Sequence, residues 1–96
     1  MANITVIAQV EVQQESIEAA KAELLALVPP TRKESGCIEY NLHQDTQNPA
    51  LFIFYETWES SAVLEKHIGS DHYKAYAKAL DGLLVKKVVH KLTRIA

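Results

Sequence analysis

Leu51-Phe52-Ile53-Phe54-Tyr55-Glu56-Thr57-Trp58 is the stretch that decides the fold. Large apolar side chains stand at odd and even positions alike, so both faces of this strand need cover. Leu51, Ile53 and Tyr55 oppose Phe52, Phe54 and Trp58. Just upstream, Thr46-Gln47-Asn48-Pro49 is rich in turn formers. Before that turn, Cys37 to Asp45 alternates, with Ile38, Tyr40 and Leu42 against Glu39, Asn41 and His43. The two runs therefore read as a hairpin.

Downstream the period changes. Ser60-Ser61 are expected to cap a helix that runs through Ile68 and ends at Gly69. Ser70 is expected to cap another, with Tyr73, Tyr76, Ala77 and Leu80 on one stripe until Gly82. Leu83 to Ile95, rich in Val and Leu, reads as a final strand. At the other end, Ile4 to Val12 alternates as a strand. Ile17, Ala20, Leu24, Leu27 and Val28 then share a helical face behind Ser16 as N-cap. Pro29-Pro30 is expected to stop that helix, because proline removes a donor and crowds the preceding turn. Thr31-Arg32-Lys33-Glu34 has capping-box spacing and predicts a short second turn closed by Gly36.

The order is β-α-β-β-α-β. This is an α+β fold of the split, ferredoxin-like kind, an antiparallel sheet with helices on one side, in one domain over residues 1–96. Helices cover one face only, yet Ile7, like the odd positions of the central run, directs an apolar group to the other. Packing against an identical sheet would remove that face from water, so a homodimer is expected, two sheets face to face in a dimeric α+β barrel.

Bulk properties exclude several classes. A formal charge of −2 gives no field that favours nucleic acid or an anionic membrane. No apolar run approaches the roughly 20 residues that span a bilayer, and Met1-Ala2-Asn3-Ile4-Thr5 lacks the basic start of a secretion signal. Cys37 is the single cysteine, so no internal disulfide forms. It reads as structural, and a cytoplasmic location is expected.

Chemistry concentrates around a few side chains. Glu56 shares a strand face with Phe52, Phe54 and Trp58. A carboxylate there is either paired with Arg32, Lys86 or Lys87 or placed for a purpose. Trp58 could be plain core, though its indole N–H wants a partner. His67 follows Leu64 by three residues and Val63 by four, which turns it inward at a helix C-terminus. It is either a satisfied core histidine or a base near neutral pH. His72 and Tyr73 open the next helix. No acidic residue or cysteine stands at ligand spacing beside the two histidines, and Gly69 breaks their register, so no metal site is expected. Tyr40, Tyr55, Tyr73 and Tyr76 are either ordinary half-buried aromatics or the lining for a flat ring. Phosphate loops, a nucleophile elbow, CxxC and a dinucleotide fingerprint are all missing.

Taken in order, Ser35-Gly36-Cys37-Ile38-Glu39-Tyr40, Phe54-Tyr55-Glu56-Thr57-Trp58-Glu59, Ala62-Val63-Leu64-Glu65-Lys66-His67 and Ser70-Asp71-His72-Tyr73-Lys74-Ala75-Tyr76 resemble the antibiotic biosynthesis monooxygenase family. The matching pattern is Gly, Tyr, E-x-W, A-x-x-x-x-H and H-[YF]-x-x, over essentially the whole chain. The resemblance implies a dimeric α+β barrel with one pocket per subunit, between sheet and helices. It also implies oxidation of quinols or polycyclic phenols by dioxygen without a cofactor. Carried over residue by residue, Trp58 and His67 match pocket-lining positions, supported by Glu56, Tyr40 and His72, with Tyr73 and Tyr76 beside them. On this reading His67 is the base, and Trp58 and Glu56 position a small aromatic substrate.

Two related branches imply other chemistry. One isomerises a small phosphorylated signalling molecule, and would need Arg32, Lys33 or Lys74 as a phosphate site. The haem-degrading branch has a histidine about where this chain has Ala77, and a tryptophan at the position of His67, so its chemistry is not expected here. A dimer that binds a small molecule without turning it over is the non-enzymatic alternative.

Overall fold

The computed structural model describes residues 3–96. Strand β1 (Ile4–Val12) leads through a 3-10 turn (Gln14–Ser16) into helix α1 (Ile17–Arg32). The hairpin β2 (Cys37–Gln44) and β3 (Leu51–Trp58) follows, then α2 (Ser61–Ile68), α3 (Asp71–Leu80) and β4 (Leu84–Leu92). The sheet has the order β2-β3-β1-β4, with all neighbours antiparallel. This is the expected ferredoxin-like βαββαβ arrangement.

Alternation sets the core. Val6, Ala8, Val10 and Val12 of β1 and Phe52, Phe54, Glu56 and Trp58 of β3 are buried on the helix side. The helices answer with Ala20, Leu24, Leu27 and Val28 of α1, Leu64 of α2, and Tyr76 and Leu80 of α3. Ser60 and Ser70 cap α2 and α3 as expected, accepting from Val63 N and Tyr73 N.

Several local expectations are corrected. Pro29 and Pro30 lie inside α1 rather than ending it. The carbonyls that lose a donor belong to Leu25 and Ala26, which are on the exposed face where water replaces the missing N–H. Buried Leu27, Val28 and Thr31 hold the next turn down on the sheet. Thr31 does not begin a capping box, since its hydroxyl donates back to Leu27 O at 2.7 Å. Ser16 sits at the N-cap of α1 without a side-chain capping bond, because a 3-10 turn precedes it. Ala77 is exposed, one position off the buried stripe of α3. β4 stops at Leu92, which pairs with Thr5 near the start of β1, three residues short of the expected end at Ile95.

A bulge in β2 separates Ile38 from Tyr40. Cys37 pairs with Trp58 and Tyr40 with Glu56, so one extra residue is accommodated between them. Tyr40 stays on the helix side, while Ile38 turns to the open face and is 48% exposed.

Candidate active site

Gly36 sets up the site. Its φ is +90°, and a Cβ there would lie 2.7 Å from Val63 Cγ1. Only glycine lets the chain leaving α1 pass this close under α2. That crossing brings Glu34, in the turn after α1, against His67 at the end of α2 and His72 at the start of α3.

One carboxylate oxygen, Glu34 Oε2, lies 2.7 Å from His67 Nδ1 and 2.6 Å from His72 Nε2. A carboxylate only accepts, so both imidazoles donate to it. His67 is 2% exposed. Its ring is boxed by Trp58 at 4.7 Å between centroids, Tyr73 at 4.9 Å and Tyr40 at 5.5 Å. Burial lowers the His67 pKa, and the hydrogen bond and charge of Glu34 only partly oppose this. The imidazole is therefore neutral near pH 7. Its Nδ1 is engaged, which leaves Nε2 as the free nitrogen.

His67 lines a cavity between the sheet and helices α2 and α3, with Tyr40, Phe54, Glu56, Tyr73 and Tyr76. Glu56 is cross-strand from Tyr40 and accepts from Trp58 Nε1 at 2.8 Å. Burial raises its pKa to about 7, against the opposing pull of the indole bond and the Lys87 charge. Burial likewise holds the Tyr40 and Tyr76 phenols above their usual range, so both remain protonated. Lys87 Nζ donates to Tyr73 Oη at 2.9 Å and stands over the Tyr73 and Tyr76 rings. Its positive charge is thereby fixed at the cavity wall. Free volume in the cavity is about 40 Å³, room for about three waters, whereas about 150 Å³ holds benzene. The rim residues Ile68 and Val89 are exposed, so a ring would need those two side chains to swing aside while Lys87 stays in place.

Not every expected residue is where the sequence put it. Trp58 does not line the cavity. It is fully buried behind His67, with its N–H spent on Glu56. His72 is also off the cavity, on the far side of Glu34, where it edges a separate groove near Leu27 and Ala75. Glu56 makes no ion pair with Arg32, Lys86 or Lys87 among the described residues, since Arg32 is bound to Tyr40 O and Asn41 Oδ1. Arg32, Lys33 and Lys74 do not line the cavity, so no phosphate cluster forms there. Cys37 keeps its proton, burial and the nearby carboxylates raising its pKa to about 11, which fits a structural thiol.

Glu34 was missed, because it is 33 residues from its histidine and read as part of a helix cap. The expectation of no acidic ligand beside His67 and His72 is corrected too. Glu34, His67 and His72 bring three ligand atoms within 4.8 Å of one another. Their 2.6 and 2.7 Å separations are hydrogen-bond lengths. Two ligands on a tetrahedral zinc, with bonds of about 2.0–2.1 Å, stand about 3.3 Å apart, so the set fits a shared proton network better than an ion.

Residues 3–79 match the family described as antibiotic biosynthesis monooxygenase. This chain belongs to the antibiotic biosynthesis monooxygenase family. A solved relative, PA3566 from Pseudomonas aeruginosa, is 35% identical and superposes with a TM-score of 0.96, covering 100% of this chain and 97% of its own. "Probable quinol monooxygenase YgiN" of Escherichia coli is 33% identical over 82% of this chain and 86% of its own. "Uncharacterized protein sll1783" of Synechocystis is 31% identical over 79% of this chain, and the match spans 54% of that longer protein. Membership of the family supports a monooxygenase-type function. Among the described residues no helix is long and apolar enough to cross a membrane.

Proposed function

We propose that this protein is a cytoplasmic, homodimeric monooxygenase that oxidises a quinol or related phenol with dioxygen and needs no cofactor. The observation that carries the reading is His67 itself, 2% exposed and boxed by aromatic rings on the wall of a cavity, where burial lowers its pKa. The name of the YgiN relative supports the quinol class.

The proposed chemistry follows from the side chains. A phenol with a pKa near 10 gives up its proton with difficulty in water. His67 Nε2 accepts that proton, and the Lys87 ammonium stabilises the phenolate beside it. The electron-rich ring then reduces dioxygen and forms a ring hydroperoxide. Loss of water leaves a hydroxyquinone, so one quinol and one dioxygen become one hydroxyquinone and one water. All electrons come from the substrate. Tyr40, Tyr73 and Tyr76 hold the ring and exclude bulk water, and Trp58 fixes Glu56 from behind.

Oxygen consumption with reduced menadione and a panel of other hydroquinones tests this directly. Uptake should exceed autoxidation and fall roughly 100-fold or more in His67→Ala, with the dimer intact. Equal uptake by the variant would return His67 to an ordinary core role. No uptake from the folded wild-type dimer would sink the monooxygenase reading and turn attention to phosphorylated small molecules or binding alone.

A further inference from the structure

We propose that Glu34 is the positioning carboxylate of this site: braced by His72, it fixes His67 as the tautomer whose Nε2 is free to take the substrate proton. The proposal rests on the reading of His67 as the base.

Each part has a physical reason. The carboxylate oxygen accepts from His67 Nδ1 at 2.7 Å. The other neutral tautomer would face an Nδ1 lone pair against that oxygen, two acceptors in contact at a site 2% exposed. Leaving such buried groups unpaired forfeits their hydration with nothing in return, enough to make one tautomer dominant. A glutamate on a turn would ordinarily be loose. Here the second donor, His72 Nε2 at 2.6 Å, converges on the same Oε2 and removes that freedom. The exposure of the side chains rises from 2% at His67 to 15% at Glu34 and 27% at His72, so the brace is applied from the solvent side.

The arrangement also serves the step itself. When the phenol O–H bond breaks, the electron pair stays on the substrate oxygen and a new N–H bond forms at Nε2. His67 then carries a positive charge in contact with the Glu34 carboxylate, and Coulomb attraction lowers the cost of charging a buried ring. The same proton returns to the outer peroxide oxygen; the ring C–H proton joins that oxygen as the O–O bond breaks, so water leaves, the new carbonyl forms and no net proton is exchanged.

Long-range proton–nitrogen correlation spectra of the labelled full-length protein report the tautomer without any need for turnover. The wild type should show His67 with a protonated Nδ1 and an unprotonated Nε2, and Glu34→Gln should show a mixture. In oxygen-uptake kinetics, Glu34→Gln should lower kcat roughly 10- to 100-fold with KM changed less than about threefold, and His72→Gln should fall between it and wild type. A protonated Nε2 in the wild type, or a spectrum unmoved by Glu34→Gln, overturns the proposal. So does one tightly held metal ion per chain whose removal by a chelator shifts both histidines. If the wild type turns over no quinol, the spectra still decide the role of Glu34, while the monooxygenase reading fails separately.

Discussion

The two faces of the sheet are built from the same alternating strands, yet they meet different surroundings. On the helix side, Phe52, Phe54, Glu56 and Trp58 of β3 are all buried. On the other, Ile38, Tyr55 and Leu92 remain 48%, 38% and 45% exposed. A groove of about 580 Å³ runs over that face, lined by Thr5, Ile38, Tyr55 and Arg94 among others. The dry face is where pKa values move and where the candidate site sits. The open face carries apolar groups that one chain leaves wet, which supports the proposed dimer. On the proposed reading, chemistry and assembly are divided between the two sides of one sheet.

The largest expected effect tests that division in the core. Phe54→Ala should cost about 3–5 kcal/mol of stability in urea titrations, and Ile53→Ala about 1 kcal/mol in the isolated chain. Equal losses at low protein concentration would mean that the open face is already dry without a partner.

The backbone offers the same contrast. Gly36 and Gly82 have φ of +90° and +88°, but a Cβ would meet Val63 only at Gly36. Gly82→Ala should cost about 1–2 kcal/mol for conformation alone, and Gly36→Ala about 2–4 kcal/mol once crowding is added. Matching costs in thermal melts would remove the close crossing of α1 and α2 from the account of how Glu34 is placed.

Electrostatics sharpen the contrast further. Glu56 has a folded pKa raised from 4.5 to about 7, so the folded state keeps this proton longer than the unfolded chain does. Stability from this source is full below about pH 4.5 and is lost as pH rises through 7. Glu56→Gln should therefore gain on wild type by up to about 3 kcal/mol between pH 5 and pH 8. Glu39→Gln, on the open face, is the control. A flat pH difference for Glu56→Gln would show that its carboxyl is more solvated than its burial indicates.

The smallest effect on the fold should be the largest on assembly. Tyr55→Lys should change the stability of one chain by about 0.5 kcal/mol or less, yet shift sedimentation from dimer to monomer. Dimers that survive this charge would place the contact away from the open face.

The βαββαβ order and the family were legible in the residues. Strand alternation in Ile4–Val12, the doubly apolar Leu51–Trp58 and the serine caps at Ser60 and Ser70 are local signals, and local sterics and hydrogen bonding fix them. The inward turn of His67 was equally local, since helix periodicity places it beside Leu64. Pro29-Pro30 misled because proline costs a donor only where the carbonyl has no water, and the exposed face supplies it. Ile38 misled because a bulge shifts period-two alternation by one residue. What only the tertiary structure decided is the partner of His67. Glu34 reaches it across 33 residues, through a glycine crossing that no helix or strand period encodes. Sequence determined which elements form, because their signals act within a few residues; packing decided which nitrogen of one histidine is free.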